Sequence, residues 1–225
     1  MIVAFSGVKF SGKDTTAEGL IRFHKFKRIG LADKLKDICS EVFDIPRQDM
    51  DNPALKEFPF PKPVKLSVEH LDSLLRTLQR DGYDFEFDSI FQLLCTNFMG
   101  KILTSIRDIL QVIGTDICRT HIKDDIWLQY VKQTILTYDG NLVITDARFE
   151  NERKFLKELG AVLVLVIRPG YENKSTHISE NQLGNPEDYD VIVRNDTTPI
   201  AVQSGIATWY TVMKDAIKSS KFRRN

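Results

Sequence analysis

A glycine-rich stretch near the start of the chain has the spacing of a phosphate-binding loop. Gly7, Gly12 and Lys13 match the pattern G-x-x-x-x-G-K. The two glycines allow turns with positive φ and a close approach to an anion, so that successive N–H groups point at it. A short apolar run precedes the loop, and a helical pattern follows it whose positive N-terminal end would also face the phosphate. This context predicts a binding site for the phosphates of a nucleotide.

The residue after the lysine departs from the usual loop, because Asp14 stands where the pattern has Ser or Thr. That hydroxyl normally helps to hold Mg²⁺. A carboxylate is also a hard oxygen ligand, but it places negative charge near the phosphates. Thr15 or Thr16 could supply the hydroxyl instead. The alternative interpretation is a glycine-rich turn that is capped by Ser11 or Asp14 and binds no ligand.

Composition limits the classes of protein to which the chain can belong. Its 225 residues are 42% hydrophobic, enough for one substantial α/β core with an insertion. The 31 basic and 31 acidic residues cancel, so no bulk positive field draws the chain to nucleic acid or to an anionic membrane. Three widely spaced cysteines indicate reduced thiols, and no signal peptide or membrane-spanning run is expected. We therefore expect a cytoplasmic protein that binds neither nucleic acid nor membranes.

Strand and helix patterns alternate along the chain. The clearest strands are "NLVITDA" and "AVLVLVIRPG", continuous apolar runs of the kind that is buried inside a parallel sheet. Helical patterns occupy residues 33–43, 66–82, 89–119 and 122–138, whereas five prolines between residues 46 and 63 predict irregular structure there. The alternation predicts an α/β fold with a parallel β-sheet flanked by helices on both faces.

The segment "TDAR" follows a predicted strand, at the edge of the sheet where such folds bind their ligands. In a functional interpretation, Asp146 helps to organise the Mg²⁺ of a bound nucleotide and Arg148 reaches the transferring phosphate. In a structural interpretation, Asp146 caps the next helix and Arg148 pairs with Glu152 on its surface. The edge shared with the phosphate loop favours the functional interpretation.

A row of polar residues runs along one predicted helix. At about 100° per residue, Arg107, Gln111, Thr115 and Arg119 lie opposite an apolar side. Two guanidinium groups that flank an amide and a hydroxyl suit the phosphate and base edge of a nucleotide. A solvated amphipathic face gives the same pattern. Gly114 lies within the same helical pattern and costs about 1 kcal/mol of helix stability relative to Ala, which indicates a close approach or an early helix end.

Several motifs resemble those of the bacteriophage-type deoxynucleoside monophosphate kinases, which are relatives of the nucleoside monophosphate kinase group. They are "FSGVKFSGKDTTA", "LADKLKD", "LQVIGTD", "VITDARFENE", "VIRPGYENKSTHISE" and "VIVRND", spread from residue 5 to residue 196. The Asp after the loop lysine belongs to this family's own pattern. The resemblance implies a single P-loop kinase domain over residues 1–225. Its core would lie at about 1–45 and 120–225, a helical and proline-rich substrate-side insertion at about 46–119, and a lid at about 168–188.

The same resemblance implies transfer of the γ-phosphoryl group of ATP to a deoxynucleoside monophosphate (dNMP), with Mg²⁺ as cofactor, for deoxynucleotide synthesis. The implied catalytic residues are Lys13, Arg107, Asp146 and Arg148. The implied ATP-binding residues are Gly7, Lys9, Ser11, Gly12, Lys13, Asp14, Thr15, Thr16, Arg168 and Asn195. The implied metal ligands are Asp14, Thr15 and Asp146. The implied monophosphate-binding residues are Asp33, Lys36, Arg107, Gln111, Thr115, Asp116, Arg119 and Trp127.

A more specific role is expected for Arg168, Asn195 and Trp127. Related kinases close an arginine-rich lid over the donor, and Arg168 is the best candidate for that role in this sequence. Asn195 either lines the adenine pocket or lies in a segment whose Asp196 or Thr197 caps the final helix. Trp127 either stacks on a base or packs in the core.

Other functional classes also bind nucleotides. A GTP-hydrolysing switch is disfavoured, because no N-K-x-D motif follows any predicted strand. A dephospho-coenzyme A kinase and a non-catalytic ATP-sensing module stay open as alternatives, which phosphate transfer across a panel of monophosphates would distinguish. The expected partners are small-molecule substrates, and a homodimer is compatible with the sequence.

Overall fold

The structure is a computed structural model that describes residues 1–171 and 183–222, with side chains as far as residue 215. In that part of the chain two compact units are present. The first unit combines residues 1–31 with the residues from 131 onward, and the second is the continuous segment 32–130. The second unit begins earlier and ends later than the insertion expected at about 46–119, and the single-domain description stays a prediction.

The described residues form seven strands and nine α-helices. The strands are β1 (Ile2–Ser6), β2 (Lys27–Ile29), β3 (Val64–Lys65), β4 (Ile102–Leu103), β5 (Leu142–Ile144), β6 (Val162–Ile167) and β7 (Val191–Arg194). The helices are α1 (Lys13–His24), α2 (Asp33–Phe43), α3 (Pro53–Glu57), α4 (Val68–Arg80), α5 (Phe87–Phe98), α6 (Ile106–Gln111), α7 (Ile126–Thr137), α8 (Glu150–Glu158) and α9 (Pro199–Phe222). A π-helical segment, Val112–Ile122, continues α6, and a short 3₁₀ turn, Pro186–Asp188, precedes β7.

A parallel sheet forms the centre of the first unit. Its strand order is β2-β5-β1-β6-β7, and every neighbouring pair is parallel. The segments that follow these strands therefore all lie at one edge of the sheet. From β1 the chain continues to β2, which lies on one side of β1 in the sheet. The later strands β6 and β7 lie on the other side of β1, so the winding direction reverses at β1. The α/β fold with a parallel sheet, predicted from the alternating pattern, is confirmed.

Helices cover this sheet. Val3 and Phe5 of β1 are fully buried in an apolar cluster that includes Leu20 of α1 and Ile206 and Tyr210 of α9. The crossover from β1 to β2 through α1 and the crossover from β5 to β6 through α8 run in opposite directions along the sheet. Because such crossovers are right-handed, α1 and α8 lie on opposite faces. Covered faces explain why the central strands are continuous apolar runs rather than alternating ones.

The final helix, α9, packs closely along α1. A Cβ on Gly19 would lie 2.8 Å from the Cα of Gln203, so this approach requires a residue without a side chain. The hydroxyl of Thr198 accepts a first-turn N–H at 3.3 Å, the capping role that had been considered for Asp196 or Thr197. α9 is 24 residues long, yet neither it nor any other helix among the described residues is apolar over enough length to cross a membrane.

The second unit is helical and has its own apolar core. The core residues that are at most 1% exposed include Ile38, Cys39, Met50, Leu66, Leu71, Leu74, Leu75, Leu78, Leu94, Leu103, Ile109, Ile113, Ile117 and Cys118. Strands β3 and β4 form a two-stranded antiparallel ribbon, in which Val64 pairs with Leu103. All three cysteines of the chain are free thiols, as the sequence predicted.

The single helix predicted over residues 89–119 is wrong. α5 ends at Phe98, Gly100 takes a left-handed φ of 87°, and β4 follows before α6 begins. A glycine with positive φ ends a helix readily, because it lacks the Cβ that makes this conformation costly. The apolar residues at 102–103 fit a helical period as well as a strand, which is why the pattern alone concealed the break.

The proline-rich segment is partly regular, contrary to expectation. Pro53 occupies the first turn of α3, where its missing N–H is not needed for the helix. The side chain of Asn52 caps this helix by accepting the N–H of Ala54 at 3.0 Å. β3 then follows as a short edge strand directly after Pro63. Proline is compatible with both positions, so a high proline content does not exclude short elements.

Candidate active site

The loop between β1 and α1 is tightly folded. A Cβ on Gly7 would lie 2.7 Å from the carbonyl oxygen of Val166 in β6, and Gly12 has a left-handed φ of 88°. The N–H of Ser11 donates to the carbonyl oxygen of Val8 at 3.0 Å and closes a turn. Both glycine positions therefore have the steric requirement that the sequence pattern indicated.

Lys13 is the first residue of α1, and its side chain is 11% exposed. Its ammonium lies 3.8 Å from the carboxylate of Asp14, whose side chain is 69% exposed. The N-cap position of α1 is Gly12, which has no side chain to cap the helix. The buried hydroxyl of Ser11 has no hydrogen-bond partner among the described residues, so the Ser11 cap of the structural alternative is not formed. The N-terminal N–H groups of α1 are of the kind that bind anions.

The two threonines after Asp14 differ in their surroundings. The hydroxyl of Thr16 donates to the carbonyl oxygen of Gly12 at 2.9 Å, and this side chain is fully buried. Thr15 is half-buried. Because the hydroxyl of Thr16 stabilises the first turn of α1, Thr15 is the better candidate for a contact with a metal ion or a phosphate.

Asp146 follows β5 at the same edge of the sheet as the loop. Its carboxylate accepts the N–H of Leu31, the second residue after β2, at 2.8 Å. The N-terminus of α8 is stabilised by a different residue, since Glu152 Oε2 accepts the N–H groups of Arg148 and Phe149 at 2.7 and 2.9 Å. Glu152 thus contacts the backbone amide of Arg148, whereas the expected ion pair between their side chains stays a prediction. The helix-capping role that was considered for Asp146 belongs to Glu152.

Two residues after the last two strands contact the phosphate loop. Asn195 Nδ2 donates to the carbonyl oxygen of Ser11 at 2.8 Å, within the buried part of the unit. Arg168 Nη1 lies 3.4 Å from the carbonyl oxygen of Phe10. Asn195 thus supports the loop, and its adenine contact stays a prediction. Lys9, also in the loop, has its ammonium 4.9 Å from the centre of the Phe10 ring. Residues 172–182 of the expected lid lie outside the described residues.

The polar row of the second unit is divided by the π-helix. Arg107 and Gln111 lie on α6, whereas Thr115 and Arg119 lie in the π-helical segment. Hydrogen bonds from i to i+5 widen the turn, so residues four positions apart no longer lie above one another. The hydroxyl of Thr120 accordingly donates to the carbonyl oxygen of Thr115, five residues earlier, at 3.0 Å. The predicted polar face is wrong at Arg119, which is only 6% exposed.

Both arginines of the row have carboxylate partners within the second unit. Arg107 Nε and Nη2 lie 2.8 and 2.7 Å from Glu57 Oε1. Arg119 Nη2 lies 3.3 Å from Asp124 Oδ1, and the side chain of Asp124 is 72% exposed. Asp116, which was also expected to bind the monophosphate, lies 3.7 Å from the ammonium of Lys101. A guanidinium group can bind either a carboxylate or a phosphate through its N–H donors.

Trp127 is a core residue. It is 4% exposed, and its indole N–H donates to the carbonyl oxygen of Gly114 at 3.0 Å. A Cβ on Gly114 would overlap the side chain of Leu35 in α2, which is the close approach that the sequence indicated. A buried ring does not offer its face to a nucleotide base. This burial corrects the base-stacking expectation and supports the alternative of core packing.

Asp33 and Lys36 belong to an ion-pair network. The ammonium of Lys36 lies 2.9 Å from Asp51 and 3.4 Å from Asp33, and its side chain is 7% exposed. The guanidinium of Arg47 contacts Asp33, Asp37 and Asp51. Burial alone would raise the pKa of Asp51, but hydrogen bonds and charges from Lys36 and Arg47 outweigh it and lower that pKa. The network favours a structural role for Asp33 and Lys36 over the expected substrate contacts.

Sequence reasoning missed several residues that contact expected site residues, among them Glu57 and Arg153. Glu57 lies in the proline-rich segment, where no helix was expected. Arg153 is 5% exposed, and its Nη1 donates to the carbonyl oxygen of Arg148 at 2.9 Å. It precedes the buried Leu156 by three residues and so lies on the inner face of α8. A charged residue at a position that the helical pattern places on the buried face was the signal that could have identified Arg153.

Comparison with known proteins identifies the family. The chain matches the model of the deoxynucleotide monophosphate kinase family over residues 64–205. The deoxynucleotide monophosphate kinase of Enterobacteria phage T4 is 26% identical, over 87% of this chain and 92% of its own. That of Escherichia phage RB69 is 27% identical over 87% and 93%, and a relative from Acanthamoeba polyphaga mimivirus is 30% identical over 88% and 90%. The chain therefore belongs to the deoxynucleotide monophosphate kinase family.

Proposed function

We propose that the protein is an ATP-dependent deoxynucleoside monophosphate kinase, which transfers the γ-phosphoryl group of ATP to the phosphate of a dNMP and releases dNDP and ADP. The observation that carries the proposal is the phosphate loop, with Lys13 buried at the start of α1 behind two sterically required glycines. The family match begins at residue 64 and so does not include this loop. The loop is thus an observation from outside the range of that match, and it supports the same reaction class.

The chemistry requires position and charge more than proton transfer. The attacking oxygen already belongs to an ionised phosphate, so no strong general base is needed, and catalysis lies in alignment and charge neutralisation. We assign Lys13 to the β- and γ-phosphates, the N–H groups of residues 9–15 to the cradle around them, and Arg148 to the transferring group. Arg168, which contacts the carbonyl of Phe10, is our proposed cation on the donor side.

The donor set of the first unit fits a Mg²⁺ ion bound with the nucleotide. In phosphate-transfer sites Mg²⁺ takes one or two protein oxygens, and phosphates and waters complete its octahedron. Asp14 supplies an exposed carboxylate one residue after Lys13, and Thr15 supplies a half-buried hydroxyl. The Asp146 carboxylate is held at the same sheet edge by the N–H of Leu31. When bound, the ion would neutralise charge on the phosphates, and we propose Asp14, Thr15 and Asp146 as its ligands.

In the second unit, Arg107 and Arg119 are our proposed ligands for the acceptor phosphate. The planar guanidinium binds carboxylate and phosphate through the same fork of N–H donors. Their partners Glu57 and Asp124 therefore occupy the kind of position that a phosphate would take. Gln111, half-buried at the end of α6, is our proposed contact to a base edge, while Thr115 and Asp116 stay predictions.

The family membership does not favour a dephospho-coenzyme A kinase or a non-catalytic ATP sensor. We propose that the substrates are small-molecule nucleotides and that nucleic acid is not a partner, as the balanced charge supports. A homodimer is compatible with the sequence, and analytical ultracentrifugation would determine the oligomeric state.

A coupled assay of ADP release tests the function. ATP and Mg²⁺ are offered with each of the four deoxynucleoside monophosphates, the matching ribonucleotides and dephospho-coenzyme A. We expect ADP release with one or more of the deoxynucleotides. Release only with dephospho-coenzyme A would reassign the substrate. ATP binding without ADP release for any acceptor would identify a sensor and contradict the proposal.

The acceptor assignment is tested by Arg107→Ala and Arg119→Ala. Both should raise the monophosphate KM for every base, because a phosphate contact is independent of the base, and should leave the ATP KM nearly unchanged. Gln111→Ala should change the KM to different extents for different bases, since an unpaired polar group discriminates between substrates. The exposed Arg76, paired with Asp72 on α4, provides a matched arginine control. Parent kinetics for both arginine variants would exclude them from the acceptor site.

A further inference from the structure

Two adjacent residues of α8 hold the backbone of Arg148 in place. Arg153 Nη1 donates to the carbonyl oxygen of Arg148 at 2.9 Å, and Glu152 Oε2 accepts the N–H of Arg148 at 2.7 Å. Arg153 is 5% exposed and Glu152 is 4% exposed. Both polar groups of residue 148 are thus fixed by buried charged side chains from one turn of helix.

A second segment, residues 183–189, packs on the same guanidinium. The guanidinium carbon of Arg153 lies 5.7 Å from the centre of the Tyr189 ring, and the Tyr189 hydroxyl donates to the carbonyl oxygen of Leu183 at 2.6 Å. A Cβ on Gly184, which has a φ of 72°, would lie 2.6 Å from Arg153 Nη2. The segment therefore leaves room for the guanidinium only because residue 184 is glycine.

We propose that Arg153 is a positioning residue for phosphoryl transfer. Arg153, held by the segment 183–189, fixes the carbonyl oxygen of Arg148 and thereby directs the Arg148 side chain. This inference rests on the proposed function, in which Arg148 contacts the transferring phosphate. A guanidinium can donate to a carbonyl at its edge while its face packs on an aromatic ring, which an ammonium cannot do. A buried charge is costly, so packing alone would be achieved better by an apolar side chain.

A double-mutant cycle between Arg153→Lys and Arg148→Ala tests this role in the full chain. If Arg153 acts through Arg148, Arg153→Lys lowers kcat about tenfold while both KM values stay within about twofold. In the Arg148→Ala background the same change then lowers kcat by less than about twofold, because residues that act as a unit are not additive. A purely structural Arg153 would lower the unfolding midpoint and give either no loss of kcat or the same loss in both backgrounds.

Gly184→Ala provides a second variant that leaves Arg153 in the chain. Its Cβ would lie 2.5 Å from the Asp188 carboxylate and 2.6 Å from the Arg153 guanidinium and would displace both, whereas Gly160→Ala adds the same methyl group at a similar φ of 77° with no atom of the described residues within 4 Å. We expect Gly184→Ala to lower kcat as Arg153→Lys does, and Gly160→Ala to keep the parent kcat. Equal kcat for the two glycine variants, or additive losses in the cycle, would overturn the inference. A parent protein that releases no ADP with any dNMP would instead overturn the proposed function, and this inference with it.

Discussion

The side-chain amide of Asn195 and the carbonyl oxygen of Ser11 are joined by a buried hydrogen bond of 2.8 Å. The backbone N–H of Asn195 also donates to the carbonyl oxygen of Ile167 at 2.8 Å, so the residue is fixed by the sheet. A Cβ on Gly12 would collide with the Asn195 side chain. The residue after β7 thus constrains the loop that follows β1.

We expect Asn195→Ala to raise the KM for ATP about fivefold, since one hydrogen bond contributes ~1 kcal/mol. The monophosphate KM should stay at the parent value. Asn195→Asp should be more damaging, because it replaces the donor by an acceptor that faces the Ser11 carbonyl. Steady-state kinetics with each substrate varied in turn measure both effects. A parent-like ATP KM in both variants would show that this bond does not shape the loop.

Replacing Lys13 by Ala should lower kcat by two or more orders of magnitude with folding retained, because the lysine contacts charge that develops in the transition state. ADP release measures the loss, and circular dichroism checks the fold. Lys132→Ala, at an exposed position of α7, is the control and should keep the parent kcat. Near-normal turnover in a folded Lys13→Ala protein would contradict the assignment of the phosphate loop.

Asp146→Asn should remove the negative charge of this side chain but keep its hydrogen bond. The amide oxygen can still accept the N–H of Leu31, so the unfolding midpoint should stay close to that of the parent. The Mg²⁺ concentration needed for half-maximal activity should rise, because a hard cation prefers a carboxylate. Asp146→Ala should in addition lose ~1 kcal/mol of stability with the hydrogen bond. A magnesium titration that does not move in either variant would exclude Asp146 from the metal site.

Gly114→Ala should destabilise the protein by ~1–3 kcal/mol, because the new methyl group would overlap the side chain of Leu35. Urea unfolding measures the loss. Shortening the neighbour should restore part of it, so the double variant Gly114→Ala with Leu35→Val should be more stable than the sum of the single changes predicts. Additive losses would mean that the two side chains do not compete for the same space.

The ion-pair network at Asp51 predicts a dependence of stability on acid. Contacts with Lys36 and Arg47 hold the pKa of Asp51 below its ordinary value of 3.8. A carboxyl group whose pKa is lower in the folded state stabilises the fold above the unfolded-state pKa, and this contribution disappears as pH falls through the folded-state pKa. Asp51→Asn should therefore cost about 1 kcal/mol or less at pH 7, since the side chain is half-exposed, and the cost should shrink as the pH falls below 3.8 and through the folded-state pKa. A pH-independent difference in unfolding free energy would contradict this account.

The features that depended on local spacing could be predicted from the sequence. The glycine positions of the phosphate loop need only a strand before them and a helix after them, and both are present at the expected residues. The strands β5 and β6 are continuous apolar runs, so the parallel sheet could be predicted as well. Such patterns depend only on the backbone geometry and burial of residues that lie a few positions apart in the sequence.

The arrangement of the second unit could not be predicted by the same means. A helical wheel at 100° per residue assumes α-helix throughout, and the π-helical segment moves Arg119 to the buried side. Trp127 is buried, and its indole N–H is bonded to the carbonyl oxygen of Gly114, 13 residues away. Contacts of Arg107 with Glu57, 50 residues away, likewise leave no trace in local periodicity.

The strand order determines when the sheet and the second unit can form during synthesis. β1 is made first, but its two neighbours in the sheet, β5 and β6, begin at residues 142 and 162. The second unit is continuous from residue 32 to residue 130, so all of its residues leave the ribosome before either partner of β1 does. Pairing between such distant strands also makes folding slow. The sheet around the phosphate loop therefore cannot form until β5 and β6 have been made, and we expect nucleotide binding through that loop only after residue 167 has been synthesised.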